Sequence, residues 1–138
     1  MIDKETGIWL VNTGPSSTIH NASTLHKYDP GLARALVTFL ANQSEIVDFG
    51  CGNADYSKIL LESDPSKKIQ CYDGNPNTPE MTGGLGKVLD LSKEFDLNRK
   101  FECVLSLEVG EHIPPEYEQI FIDNLDRHCE QCIILSWA

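Results

Sequence analysis

Apolar and polar positions change period several times along the chain, and each change marks an element. Leu32, Leu36, Val37, Phe39 and Leu40 recur at helical spacing behind Asp29-Pro30, an N-cap acid followed by proline at the first helical position. This predicts a helix from about Pro30 to Asn42. The run Ile46-Val47-Asp48-Phe49 then ends in Gly50-Cys51-Gly52, as suits a strand buried in a parallel sheet. A second helix, about Ala54 to Glu62, turns Tyr56, Ile59 and Leu60 inward and stops at Asp64-Pro65. Lys68 to Tyr72 reads as the second strand, ending in Asp73-Gly74. Asn75 to Gly86 is rich in Pro, Gly, Asn and Thr and allows no more than one helical turn around Pro79-Glu80-Met81.

Lys87 to Leu91 and Phe101 to Leu107 follow as the third and fourth strands. Pro115 opens a helix to about His128 with Tyr117, Ile120, Phe121 and Leu125 on one face, and Cys132 to Trp137 reads as a fifth strand. Strands alternating with helices imply an α/β fold on a parallel sheet. Residues 1–28 stand apart as an N-terminal segment before a single domain over 29–138. In it Ile8-Trp9-Leu10-Val11 suggests a short strand broken by Gly14-Pro15, and His20, Asn21, His26 and Tyr28 fall in a loop. Such segments often fold over a ligand site, though most are plain surface.

Composition changes this picture in three places. The chain of 138 residues is long enough for one domain with a real core but not for two. No apolar run approaches the roughly 20 residues of a membrane helix, and no signal peptide opens the chain, so a cytoplasmic protein without membrane contact is expected. Five scattered cysteines read as reduced thiols, and Cys129-Glu130-Gln131-Cys132 reads as a helix-to-strand junction rather than a metal or redox pair. The formal charge is −10, with ten acids against four bases between Ser92 and Glu130. A surface of that sign repels phosphate backbones, so direct nucleic-acid binding by this chain alone is not expected.

The candidate chemistry begins at Gly50 and Gly52, which let the backbone turn sharply and approach a ligand closely. The free N–H groups of the helix that follows point back at this loop. The dinucleotide pattern G-x-G-x-x-G fails, because Asp55 occupies its third glycine position and would oppose a pyrophosphate. A ligand with an ammonium group and a single carboxylate is accommodated more easily. Asp73, 25 residues beyond Asp48, stands where nucleotide folds bind ribose hydroxyls, although Asp-Gly is also an ordinary turn.

Asp48-Phe49-Gly50-Cys51-Gly52 resembles motif I (D-x-G-x-G) of the class I S-adenosylmethionine-dependent methyltransferases. Asp73, Asp90-Leu91-Ser92 and the stretch Ser106 to Pro115 follow in that family's order, so the resemblance covers residues 29–138. It implies a three-layer Rossmann-like core whose mainly parallel sheet has five strands in the order 3-2-1-4-5. The C-terminal β-hairpin of the complete class I domain has no counterpart in this sequence, so a C-terminally truncated domain is expected. The implied cofactor is S-adenosylmethionine, held by Asp48, Gly50, Cys51, Gly52, Asp73, Gly74, Asp90, Leu91 and Glu108. The implied activity is methyl transfer to an oxygen or nitrogen nucleophile of an unidentified acceptor. The alternative is a non-catalytic module that binds the cofactor or a partner chain.

Glu111 and His112 are the candidate catalytic residues. With Glu108 they form an E-x-x-E-H set resembling one in small-RNA 3′-end 2′-O-methyltransferases and quinone-biosynthesis O-methyltransferases, which implies a divalent metal on these three residues. Glu111 and His112 equally suit capping of the helix that follows. Asp90 likewise suits a plain helix N-cap. The fifth strand carries no charge from Cys132 to Trp137, and as an unpaired edge it is expected to pair with a second copy in a homodimer.

Overall fold

The computed structural model describes residues 2–5, 7–8 and 28–137. Asp29 caps the first helix, α1 (Pro30–Phe39): its Oδ1 accepts from Gly31 N at 2.6 Å and Leu32 N at 3.3 Å. The helix stops short of Asn42 because Leu40 becomes its C-cap. There the buried Lys67 places Nζ 2.8 Å from Leu40 O and 2.7 Å from Gln43 O. Those donations satisfy carbonyls that a helix end otherwise leaves unpaired.

Strand β1 (Glu45–Phe49) leads into α2 (Asp55–Ser63), then β2 (Lys68–Asp73) and the single turn α3 (Thr78–Met81). The remaining elements are β3 (Gly86–Val88), β4 (Phe101–Leu107), two 3-10 turns (Gly110–His112 and Pro115–Tyr117), α4 (Glu118–Arg127) and β5 (Cys129–Ser136). The sheet order is β3-β2-β1-β4-β5, and every pairing is parallel. This is the five-stranded, three-layer Rossmann-like core, in the order 3-2-1-4-5, that the sequence implied.

Two apolar clusters make the outer layers. Val47, Phe49 and Val104 turn to one face of the sheet and pack with Phe121 and Leu125 of α4. Ile46, Cys103 and Leu105 turn to the other and meet Leu36 and Leu40 at the end of α1 and Leu60 of α2. The phenylalanines Phe49, Phe101 and Phe121 are fully buried, each contributing on the order of 1.5–3 kcal/mol. His128, also fully buried, links loop and helix. Its Nε2 accepts from Leu97 N at 2.9 Å while Nδ1 faces Asn124 O at 2.7 Å, which requires a neutral ring protonated at Nδ1.

Several expectations are corrected. The third strand is three residues rather than Lys87–Leu91; Leu89 N still donates to Asp73 O at 2.9 Å before the chain leaves the sheet edge. The fifth strand starts earlier, at Cys129, so Cys129-Glu130-Gln131-Cys132 lies within it, with a register irregularity between Phe101 and Cys103 opposite. The helix from Pro115 begins as a 3-10 turn and becomes α-helical only at Glu118. In α2 it is Ser57 and Leu60 that are buried, while Tyr56 and Ile59 stay partly exposed.

All five cysteines are free thiols. β5 is the sheet's edge, with Ile133, Leu135 and Trp137 each about 40% exposed. Among the described residues no helix is long and apolar enough to cross a membrane. The expected strand Ile8–Val11 lies outside the described residues beyond Ile8, as do His20, Asn21 and His26.

Candidate functional site

The sheet reverses its winding between β1 and β4, which is where open α/β sheets bind ligands. A cleft of about 260 Å³ opens there, at the C-terminal ends of β1, β2 and β4. Its floor is the loop after β1. Gly50 has φ +85° and Gly52 φ +53°, left-handed conformations that glycine adopts without penalty. A Cβ on Gly50 would also overlap the Val109 side chain from the loop after β4. Gly50 N and Cys51 N donate to Tyr72 O at 2.7 and 3.0 Å, which fixes the loop to β2.

Asp73 ends β2 and holds the same loop from its side chain. Its Oδ2 accepts from Gly52 N at 2.9 Å and its Oδ1 from Asn75 N at 2.9 Å. One backbone donor on each oxygen leaves further lone pairs for a ligand's hydroxyls. Beside it Asp48 is 5% exposed, and Ser57 Oγ donates to its Oδ2 at 2.7 Å. Burial pushes the Asp48 carboxyl up to about 6; the Ser57 hydrogen bond opposes this and the nearby Asp73 charge adds to it. The Cys51 thiol is also pushed up, by its hydrogen bond with the Cys71 thiol and by burial, so it stays protonated and unreactive.

The opposite wall follows β4. Glu108 has φ +55°, an uncommon conformation for a side chain of its type, and its N donates to Ser136 Oγ at 3.0 Å. Its side chain is exposed and faces the cleft mouth with His112. Glu111 lies next to it: its Oε1 is 3.9 Å from His112 Nε2, beyond hydrogen-bond length, and its buried Oε2 has no hydrogen-bond partner among the described residues.

Of the residues expected at the cofactor, Asp48, Gly50, Cys51 and Gly52 line the cleft from β1. Asp73, Gly74, Leu91 and Glu108 line it from the neighbouring strand ends. Asp90 does not; Ser92 N and Ser92 Oγ occupy its Oδ1 at 2.9 and 2.6 Å, the local turn that an Asp in that place also suits. Of the catalytic pair His112 lines the cleft and Glu111 does not. Glu108, Glu111 and His112 do not gather into a metal site: among the described residues no group of three His, Cys, Asp or Glu is placed to hold an ion.

Several cleft residues were not among those expected at the cofactor. Asn53 is 6% exposed, lines the cleft, and makes no side-chain hydrogen bond among the described residues. Its place directly after Gly52 was the available signal. Tyr28 and Tyr56 form an edge-to-face pair at 6.2 Å on the α1 side, with Tyr56 Oη accepting from Asp29 N at 2.8 Å. Gly7 and Ile8 close the cleft from the N-terminal segment, a long-range contact with no local signature.

No protein-family model matches the chain, and no curated protein does. Solved structures do. Magnesium protoporphyrin IX methyltransferase from Synechocystis PCC 6803, with bound SAM, aligns with 92% of this chain and 66% of its own at 20% identity and a TM-score of 0.66. The plantazolicin methyltransferase BpumL, in complex with SAH and a triazolic desmethylPZN analog, aligns with 86% of this chain and 50% of its own, at 13% identity and a TM-score of 0.68. SAM-bound CalS10, an amino pentose methyltransferase from Micromonospora echinaspora, aligns with 90% and 52% at 13% identity and a TM-score of 0.64. The chain therefore spans between half and two thirds of the length of these three structures. Three different acceptors appear in their names, so the shared fold does not carry an acceptor with it.

Proposed function

We propose, from the premise that the chain has the class I S-adenosylmethionine-dependent methyltransferase fold, that it binds S-adenosylmethionine in this cleft and transfers its methyl group. The observation that carries the reading is the junction of Gly52 and Asp73, which sets a ribose-binding carboxylate against a glycine loop at the sheet's switch point. The donor and acceptor chemistry of the cleft fits that cofactor. Asp73 accepts hydroxyl protons, Asp48 attracts an ammonium, and Asn53 with the free N–H groups opening α2 can donate to a carboxylate. Leu91 offers an apolar surface where Asp90 was expected.

When bound, S-adenosylmethionine supplies an electrophilic methyl group on its sulfonium. The chain's own residues then orient the acceptor and manage its proton. His112, at the cleft wall, is the residue placed to accept a proton from an oxygen or nitrogen nucleophile. Glu111 beside it, with Oε1 3.9 Å from His112 Nε2, steadies the orientation of the ring. In this role Glu111 is a positioning residue and His112 the catalytic one. The test is calorimetric titration of the chain with S-adenosylmethionine and with NAD, followed by the same titration of Asp73→Ala.

A further inference from the structure

The cofactor reading leaves the N-terminal residues 2–5 and 7–8 without a role, although Gly7 and Ile8 line the cleft. Gly7 N donates to Asp3 O at 2.8 Å, Asp3 N donates to Ile8 O at 2.8 Å, and Glu5 N donates to Asp3 Oδ1 at 2.8 Å. These bonds fold the segment into a compact turn. It meets the body at two glycine-dependent points. Gly7, buried with φ +74°, rests on the main chain after β4, where a Cβ would overlap the His112 carbonyl oxygen. Ile8 lies over Gly74 at the tip of β2, where a Cβ on Gly74 would come within 2.5 Å of Ile8 Cγ1. The turn thus spans from the residue after Asp73 to the residue proposed to take the acceptor's proton.

We infer that this turn is part of the cofactor site: Ile8 covers the nucleoside end beside Asp73, and Gly7 seats it. The inference rests on the proposed function. Two absent side chains make the seating specific. Any residue but glycine at 7 meets backbone, which cannot rotate away, and also carries the strain of a left-handed φ. Gly7 and Ile8 line the cleft together with Asp73, Gly74 and His112. The turn therefore stands over a nucleoside held at Asp73, which leaves when the turn lifts.

The experiment follows release of S-adenosylhomocysteine by stopped flow in the full chain, with hydrogen exchange at residues 2–8 read without ligand. In the wild type the amides of the turn are protected, and in Gly7→Ala that protection is lost. Release from Gly7→Ala is expected to be faster by on the order of tenfold, the scale of losing one apolar side chain's burial. Ile8→Ala, which keeps the seat and removes the cover, should release faster at an unchanged melting temperature, and Ile8→Val should restore most of the retention. Wild-type release rates in both Gly7→Ala and Ile8→Ala would overturn the inference while leaving the cofactor reading intact. Failure of the wild type to bind the nucleoside at all would instead overturn the functional reading, and the turn's role with it.

Discussion

Gly52 N donates to Asp73 Oδ2 at 2.9 Å, so the loop after β1 and the tip of β2 are one hydrogen-bonded unit. A carboxylate in that place shapes the loop and faces the cleft with its remaining lone pairs. Asp73→Ala should lose about 1–3 kcal/mol of S-adenosylmethionine affinity, as for a charge-assisted partner. Asp73→Asn keeps the acceptor toward Gly52 and should lose less. Calorimetry on the two variants separates them; equal affinity in wild type and Asp73→Ala would remove Asp73 from the site.

Asp48 should make the protein less stable as pH rises. Its folded-state carboxyl titrates near 6 against an ordinary 3.8, so between those values the folded state holds more protons than the unfolded one. Its contribution is fully present below about pH 4 and is lost as pH rises through 6, a change on the order of 3 kcal/mol. Asp48→Asn should abolish that slope and be the more stable protein at pH 8, while binding S-adenosylmethionine more weakly. Urea unfolding from pH 4 to 8 measures it; parallel pH profiles for the two proteins would contradict the assignment.

Gly50 and Val109 are coupled across the cleft. Gly50→Ala adds a Cβ that overlaps Val109 and imposes a left-handed φ on alanine, so a loss above 2 kcal/mol is expected. Val109→Ala removes the methyl groups that would be struck. The double variant should therefore recover part of the loss, with a coupling of about 0.5–3 kcal/mol. The remainder is backbone strain, which Val109→Ala cannot relieve. Additive losses in denaturant titrations would show that the two residues do not touch.

The parts of the fold legible in the sequence are those where burial is two-sided. β4 occupies Phe101–Leu107 as read, because an apolar run closed on both faces has one register that buries it. The edges were less legible. β5 begins in Cys129-Glu130-Gln131, where exposed polar side chains hide a strand that the pairing with β4 creates. β3 loses Leu89 to Leu91 because a sheet edge gives them one neighbour only, and Ser92 draws Asp90 into a turn.

In the site, Gly50 and Gly52 could be read from their backbone demands, and Asp73 from its place at a strand end. Ala54 could not: it adopts φ +60° at the start of α2 with no glycine to announce it. Nor could Gly7 and Ile8, whose contacts lie more than sixty residues away along the chain.

His112 should matter to turnover more than to cofactor binding, since its proposed part is to take the acceptor's proton. His112→Ala is expected to lower the rate of methyl transfer by about 10²–10⁴-fold while changing S-adenosylmethionine affinity little. Glu111→Gln, which keeps shape and removes charge beside the ring, should lower the rate less than His112→Ala does. A His112→Ala protein with full turnover would assign the proton to another group.

Calorimetric titration of the folded wild-type chain with S-adenosylmethionine and, separately, with NAD reads the ligand of the cleft. Saturable one-to-one binding of S-adenosylmethionine is expected, weakened in Asp73→Ala, with no comparable heat from NAD, whose pyrophosphate would face Asp55. A folded chain that binds NAD, or that gives no saturable heat with S-adenosylmethionine, would contradict the proposed function.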